Sequence, residues 1–575
     1  MKMDPSEAGI LVETREAALV KFDGSGQPIQ RKGWFLKPNE SIEERNLGVP
    51  FFPVFQRPGP NWVSKLDAKV SFKGWPNPTA DWKQWAAKLT PIYKDVWKQA
   101  KIFDAIQVST CRFRKDLVSI WEVLPYWSNE TNTFAFPFGE ASITLEDTMV
   151  LGGFSPIGFC VREVGLDKEL YKLKSQLLSH HLAFNKTTAK KACFSLWITH
   201  FMKCDDISLE HIAFLSLWLS KYVFPKAPGD VVQRELFPLA ILMAQGTCFA
   251  LGPAVLASLY RDMRLLKELL IRSDKDDILP IFSPFYIVQM WVWEHFISIN
   301  RNAFPEIIEH DKPWAARWHE VAIGRTLGSR LLCQSPCDFE WRPYAKKSSN
   351  WRSPSFYGEN GQWIYGDVNE GIAYFAKFLR SCEIVGLDSI ELYLPQRVSR
   401  HFGYDQDLFG CAYVGAGVSD WVSAWACYTK YEFNYMLYIP PRDYQSDVTY
   451  QYYYWWKENI SSFCSIEIDV GMRGKKKMRR VSVESGSQEP RLQLDLNNAP
   501  SSCGVVGSFE PRGRCNIRII KGIARARGAN RGARLAKNQL IHHANTEASH
   551  DAAGEREDKQ GRLHDLDNSE HDALE

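Results

Sequence analysis

All 21 tryptophans of this chain lie before residue 470, and Gly471–Glu575 adds a single phenylalanine to none. That asymmetry constrains the fold more than any motif. A segment so poor in large apolar side chains buries too little surface to offset the entropy of ordering its backbone. The sequence therefore predicts an N-terminal arm over 1–49, a core-forming region over 50–470 and a disordered charged tail over 471–575. At 575 residues the chain exceeds an ordinary compact domain, but one large helical domain with tails accommodates it.

Inside the core-forming region the apolar spacing is mostly helical. Trp82, Trp85 and Leu89 make one stripe, with Asp81 as the expected cap and Thr90-Pro91 as the expected start of a further helix. Phe113, Leu117, Ile120, Trp121 and Leu124 make another, followed by Leu166–Leu177 and Phe194–Phe201. Ser208 is read as the cap of a helix carrying Ile212, Leu215 and Leu219. Leu256–Leu270 and Phe285–Ile299 complete the series, with Asn369–Leu379 further on. No fixed repeat period emerges. Ala17–Phe22 and Trp34–Leu36, around Asp23–Gly26, read as a hairpin or a loosely ordered arm, and Ile390–Leu394 fits a strand. The expected class is mainly α: a large irregular helical domain with a few short β-hairpins.

Leu236–Tyr260 has no charged residue and is long enough to cross a bilayer. Pro238, Gly246, Gly252 and Pro253 interrupt it, with Gly252-Pro253 as the junction, so two buried helices and no membrane span are expected. The N-terminus lacks the apolar run of a secretory signal. The 13 cysteines form no C-x-x-C pair, and Cys333 and Cys337 have no histidine pair nearby. Reduced thiols in a reducing compartment, with no metal and no cofactor, are the expectation.

The organising stretch is Trp127–Gly158. Thr133–Phe136 alternates as a strand, Pro137–Glu140 breaks it, and Ala141–Ile143 is expected to return. Thr144, with Asp147 three residues on, has the form of a capping box, and the helix it starts is expected to stop at Gly152-Gly153. Trp127, Phe134, Gly139, Glu140, Thr144, Glu146 and Asp147 are the structural residues of this block. Two later blocks are Tyr393–Asp407, with Arg397, His401, Asp405 and Asp407, and the aromatic run Val448–Trp456. Glu140 and Arg397 are read as a turn-closing carboxylate and its guanidinium partner. Asp405-Gln406-Asp407 is read as a solvated loop or a cap rather than a metal site. Asp205-Asp206 and Asp276-Asp277 are read as loop and cap acids, and the Tyr452–Trp456 cluster as core.

These three blocks resemble the plant mobile domain family, the MAIN-like proteins, over roughly Pro50–Val470. His401 stands where the family pattern has Gln. The resemblance implies a nuclear protein of transposon silencing, gene regulation and meristem maintenance, with a phosphatase of the phosphatase-seven-like type as partner. Family members often carry the label "aminotransferase-like". That chemistry needs a Schiff-base lysine and a phosphate cradle in an α/β fold, which the helical pattern opposes. No phosphate-binding loop, metalloprotease or nucleophile-elbow motif is present. A non-enzymatic protein is the expectation. The alternative is a transposon-derived DNA-binding protein or a degenerate transposase-associated enzyme.

The tail carries three candidate sites. Arg473, Lys475, Lys476, Lys477, Arg479 and Arg480 have the composition of a nuclear-import signal. Leu492, Leu494, Asp495, Leu496, Asn497 and Pro500 satisfy L-x-L-x-L and D-L-N-x-x-P, which resemble the plant EAR-type motif that docks on Topless-type co-repressors. Alternating leucines in an extended chain share one side, ready for an apolar groove. Arg512, Arg514, Arg518, Arg525, Arg527, Arg531 and Arg534 lie in an acid-free run with Arg-Gly pairs, suited to non-specific contact with nucleic-acid phosphates.

Overall fold

The structure is a computed structural model that describes residues 9–22, 27–37, 62–75, 77–271, 278–300, 312–323, 335–346, 351, 353–366, 369–408, 420–430 and 435–460. The chain divides into two units, Met1–Lys476 and Lys477–Glu575, and every described residue lies in the first. The three tail candidates and Asp276-Asp277 lie outside the described residues.

The fold is mainly α, and tryptophan dictates how its core is built. Trp82, Trp85, Trp97, Trp121, Trp127, Trp197, Trp218, Trp291, Trp293, Trp318 and Trp456 are all fully buried. Each removes roughly 150–250 Å² from water. Most then need a buried acceptor for the indole N–H. Trp85 donates to Glu210 at 2.9 Å, Trp97 to His211 Nε2 at 2.8 Å, Trp318 to Glu294 at 2.6 Å and Trp293 to Asp116 at 3.1 Å. The buried acids and histidine of the helices are thus the counterpart of the indoles rather than a polar site.

The helix Ala80–Gln99 buries Trp82, Trp85, Ala86, Leu89 and Trp97 along one stripe. Its cap is Thr79, whose side chain accepts from the Trp82 N–H, and the expected cap Asp81 sits in the first turn. Pro91 does not start a new helix but lies inside this one. Stacking of Trp82 on Phe214, 4.5 Å apart, anchors the helix to Ile207–Trp218. That helix is capped by Asp206, not Ser208, because the Asp206 carboxylate takes the N–H groups of both Ser208 and Leu209 at 3.0 Å. The uncharged stretch becomes two buried helices, Phe237–Ala244 and Leu251–Ile271. The break falls at Gly246, where φ is +86°, so Gly252-Pro253 opens the second helix instead of ending the first. Among the described residues no helix is long and apolar enough to cross a membrane.

The β structure is short and mostly long-range. Val12–Val20 and Ile29–Leu36 form a hairpin, and Val448–Thr449 adds to its first strand from the far end of the domain. Gly9–Ile10 runs parallel to Tyr435–Ile439, which pairs antiparallel with Gln362–Tyr365. Residues near both ends of the described chain are thereby tied together. Cys382–Val385 and Ile390–Tyr393 make a separate hairpin. The organising block is a three-stranded meander, Trp127–Ser128, Thr133–Phe136 and Gly139–Ala141. Its return begins at Gly139, two residues before the expected Ala141, because Gly139 adopts φ +128° and leaves Pro137-Phe138 as the turn.

Candidate functional site

Glu140 ends on the inner face of the meander, and Arg397 approaches it from the short helical segment Pro395–Phe402. The Arg397 Nε–H donates to Glu140 Oε1 at 2.6 Å, and both side chains are fully buried. Thr133 Oγ1–H donates to the same oxygen at 2.5 Å. Burial pushes the Glu140 carboxyl up, against the pull of Arg397 and Thr133. The pair joins two family blocks across 257 positions of sequence with no opening to solvent.

A second cluster lies on the helix Leu145–Gly152. Its cap is the expected capping box: Asp147 Oδ2 accepts from the Thr144 N–H at 2.7 Å, and Thr144 Oγ1 accepts from the Asp147 N–H at 3.4 Å. The other carboxylate oxygen, Oδ1, takes the Tyr344 hydroxyl at 2.7 Å and faces His295 Nε2 at 3.5 Å. Burial alone raises the Asp147 carboxyl. The hydrogen bond and field of His295, the field of His401 and the Tyr344 hydroxyl outweigh that and leave it low. Its neighbour Glu146 is driven far up by burial and by Asp147, with Arg342 opposing. His401 is buried 5.0 Å from His295, ring to ring, and its Nε2 accepts the Ser142 N–H at 3.3 Å. Burial, His295 and Arg400 hold it well below the ordinary imidazole range, with Asp147 opposing, so it is neutral at pH 7. The buried acid, imidazoles and phenol fasten the helix to the segments 339–344 and 395–402.

Asp405 departs from the expectation of a solvated loop. It is fully buried, and five donors converge on its carboxylate: Arg31 Nη2 and the Asp447 N–H on Oδ1, and the Trp34 N–H, Arg31 Nη1 and the Tyr444 hydroxyl on Oδ2. Arg31 also reaches Asp447 at 2.7 Å. Burial lowers Arg31, but Asp447 and Asp405 outweigh it and leave the guanidinium above its usual range. Asp407 pairs with Arg15 and accepts from Thr449 Oγ1 at 2.5 Å. These acids receive arginines of the N-terminal hairpin. Among the described residues no group of three or more His, Cys, Asp or Glu side chains is placed to hold an ion.

The open concavity lies on the other side of Leu145–Gly152. It is a cleft of about 860 Å³ whose walls are the end of Ala80–Gln99, Met149 and Val150, Trp314 and Trp351, and the start of Glu370–Leu379. Gly153 forms part of its floor at φ +72°, and a Cβ there would meet the Ala105 backbone N at 2.4 Å, so the close approach requires glycine. Lys94 and Lys98 share one helix face and sit 5.3 and 5.8 Å from the Phe103 ring. Lys101 pairs with Glu370 at 2.5 Å, and Tyr374 donates to Glu370. Burial raises the Asp104 carboxyl, with Lys98 opposing. Trp314 and Trp351 pack with ring centroids 4.5 Å apart. None of these residues stood out in the sequence. The signal was the lysine spacing opposite the Trp82–Leu89 stripe, which reads as an ordinary solvated face.

A family profile described as plant mobile domain matches residues 101–457. The chain belongs to the plant mobile domain family. It is similar to two Arabidopsis thaliana proteins, MAIN-LIKE 2 at 27% identity over 315 residues and MAIN-LIKE 1 at 28% over 303 residues. These matches cover 52% and 49% of this chain and 42% and 53% of the relatives, so the chain spans about half the length of the curated relatives it matches. A third similar protein, the Arabidopsis thaliana serine/threonine-protein phosphatase 7 long form homolog, is 26% identical over 318 residues, 51% of this chain and 22% of the relative. No solved structure matches.

The matched plant mobile domain contains both halves of the Glu140–Arg397 pair and the whole Asp147 cluster, whereas Arg15, Arg31, Lys94 and Lys98 lie before it. Trp127 and Phe134 pack edge-on at 4.9 Å in its core. Tyr452 and Trp456 are buried too, and the Trp456 indole donates to the Phe136 carbonyl at 3.0 Å. Among the described residues three lysines have the lowered pKa that a Schiff-base role asks for, Lys115 by burial and Lys73, and Lys221 and Lys267 more strongly. Burial brings Lys221 and Lys267 to about 8, with Glu130 opposing at Lys267. Lys267 donates to the Pro125 carbonyl at 2.6 Å, and Lys221 lies over the Phe194 and Tyr222 rings. Neither lines the cleft.

Proposed function

We propose that this chain is a non-enzymatic nuclear interaction protein whose plant mobile domain binds a protein partner, in transposon silencing, transcriptional regulation and meristem maintenance. The observation that supports it most is the use of the family's polar residues. Glu140, Arg397, Asp147 and Asp405 are turned inward on one another and on neighbouring donors, and none of them lines the open cleft of about 860 Å³, whose walls carry lysines, tryptophans, Asp104 and Glu370. Such residues hold a scaffold and present a surface; they do not assemble a nucleophile, an acid and a metal around a void. The alternative, a transposon-derived DNA-binding protein or a degenerate transposase-associated enzyme, needs carboxylates meeting in space or a basic face on the folded domain; the carboxylates of Asp405 and Asp447 meet at Arg31 instead of at each other.

In this reading Arg473–Arg480 imports the protein, Leu492–Leu496 recruits a Topless-type co-repressor, and Arg512–Arg534 touches nucleic acid without sequence preference. A phosphatase of the phosphatase-seven-like type is the proposed partner of the domain, in keeping with the similar region in the phosphatase 7 long form homolog. The test is affinity capture from nuclei with the full chain and with a chain ending at Lys476, followed by mass spectrometry. Recovery of phosphatase or chromatin proteins by both supports the domain as the interaction module. Recovery of nucleic acid alone, and only with the tail, rejects it.

A further inference from the structure

We propose that the cleft between the end of Ala80–Gln99 and the Trp314–Trp351 pair is a docking site for a short acidic peptide segment bearing an aromatic side chain. The inference deepens the interaction-module reading and rests on it. The volume, about 860 Å³, suits a few residues of extended chain rather than a folded surface. The two ends of the cleft differ in chemistry. At one end Lys94 and Lys98 place like charges one helical turn apart, and neither forms a salt bridge with a described residue. Asp104 lies close enough to Lys98 to feel its charge, but the two like charges at that spacing still oppose the helix, and an acidic ligand relieves them. At the other end Trp351 is half-buried against Trp314. Trp314 is held by its indole N–H on Glu294 at 3.0 Å and by the Arg317 guanidinium 4.2 Å over its ring, which gives the aromatic end a rigid backing. A ligand that satisfies both ends carries negative charge and an apolar ring within a few residues.

The carboxylates of the cleft decide between peptide and nucleic acid. Asp104 and Glu370 lie among the lysines. A phosphodiester chain threading the cleft would bring phosphates against both. A peptide instead offers backbone N–H groups that a carboxylate accepts, while its acidic side chains reach Lys94 and Lys98.

The experiment uses the full chain with both basic tail runs changed to Gln, so that the tail does not capture the probe. The probe is a fluorescein-labelled peptide, Gly-Asp-Glu-Glu-Phe-Asp-Glu-Gly, read by anisotropy at low and physiological salt. Binding is expected, weaker at higher salt, and weakened about tenfold or more by K94E/K98E. Changing the probe's Phe to Ser is expected to weaken binding to the parent protein but not to Trp351→Ala. Urea midpoints check folding, and Lys98→Gln replaces the double variant if that one unfolds. Three results overturn the proposal: no binding, binding unaffected by the lysine changes, or K94E/K98E-sensitive binding of a poly-dT oligonucleotide in preference to the peptide. Nuclear capture separates this from the broader reading. Equal recovery of partners by the parent chain and K94E/K98E sinks the cleft and leaves the module, whereas recovery of no protein sinks the module itself.

Discussion

The helix Leu145–Gly152 has two faces that use charge in opposite ways. Inward, Asp147 is fully buried and bound by Thr144, Tyr344 and His295. Outward, Met149 and Val150 border a cleft in which Lys94 and Lys98 are without a salt-bridge partner among the described residues. Buried charge must be matched at once, because an unmatched ion in a low-dielectric interior costs several kcal/mol. Charge at a solvated rim carries no such demand and remains available to a ligand. The residues that define the family in sequence therefore report how the domain holds together. The residues available to a ligand lie partly outside those blocks.

That division is broken most directly at Glu140–Arg397. Removing Arg397 leaves Glu140 buried without its charge partner, with only the Thr133 hydroxyl on the oxygen they shared, so Arg397→Met is expected to cost about 3–5 kcal/mol in urea unfolding. The double change E140M/R397M removes both charges and is expected to recover most of the loss. A single variant as stable as the parent would mean that the pair is not the buried anchor its geometry indicates.

The next largest effect is expected at Asp405. Asp405→Ala removes the acceptor for five donors, three of them from the N-terminal hairpin (two from Arg31 and the Trp34 N–H), and is expected to cost about 2–3 kcal/mol. Protease cleavage within Val12–Leu36 should accelerate while the core helices stay protected. Equal acceleration everywhere would show that Asp405 supports the whole domain instead of clasping the hairpin.

The sequence made the helical class, the hairpin within the meander and the capping box legible because each is written locally, in apolar period, in the turn at Pro137–Glu140 and in Thr144 with Asp147; the first strand, Trp127–Ser128, was not legible. It misplaced the caps at Asp81 and Ser208 because several nearby side chains can reach the same N–H groups, and only the entering backbone decides which does. Pro91 read as a helix start because proline suits a first turn. Here the buried Trp82, Trp85, Leu89 and Trp97 hold the helix continuous through it. Asp405 read as solvated because its donors, Arg31 and Tyr444, lie 374 and 39 positions away. The cleft stayed hidden for the same reason: Lys94, Trp314 and Trp351 meet only through the tertiary fold.

Buried histidine gives a smaller, pH-dependent effect. His211 accepts the Trp97 indole N–H and stacks on Tyr93 at 3.7 Å, and burial pulls its pKa down to about 3. The unfolded chain takes up a proton at this residue as pH falls below about 6.5, while the fold refuses it until near the lower value. The unfolded state then binds more protons, so stability is lost as pH falls from about 6.5, at up to about 1.4 kcal/mol per unit. His401 acts in the same direction and Glu146, with its raised pKa, in the opposite one, so the bare pH profile mixes signs. The informative measurement is the difference between the parent and His211→Gln, which keeps an acceptor for Trp97 but cannot charge. The parent should lose ground to the variant on acidification from pH 6.5 to 5.5. A constant difference would mean that His211 is hydrated in solution.

The smallest stability effect is expected where the proposed binding effect is large. K94E/K98E touches no salt bridge among the described residues, but it removes the Lys98 charge that Asp104 feels. Phe103 loses two cations from beside its ring, each such contact being worth on the order of 0.5–1 kcal/mol at exposed sites, while the like-charge repulsion between the lysines is relieved as a new one appears between glutamates. The two repulsions cancel and leave the loss at Phe103, about 1–2 kcal/mol, so the urea midpoint should fall by less than it does for Arg397→Met while the acidic probe is lost. If the midpoint falls as far as it does for Arg397→Met, the two lysines are part of the scaffold, and the contrast between the two faces of Leu145–Gly152 fails at its outward side.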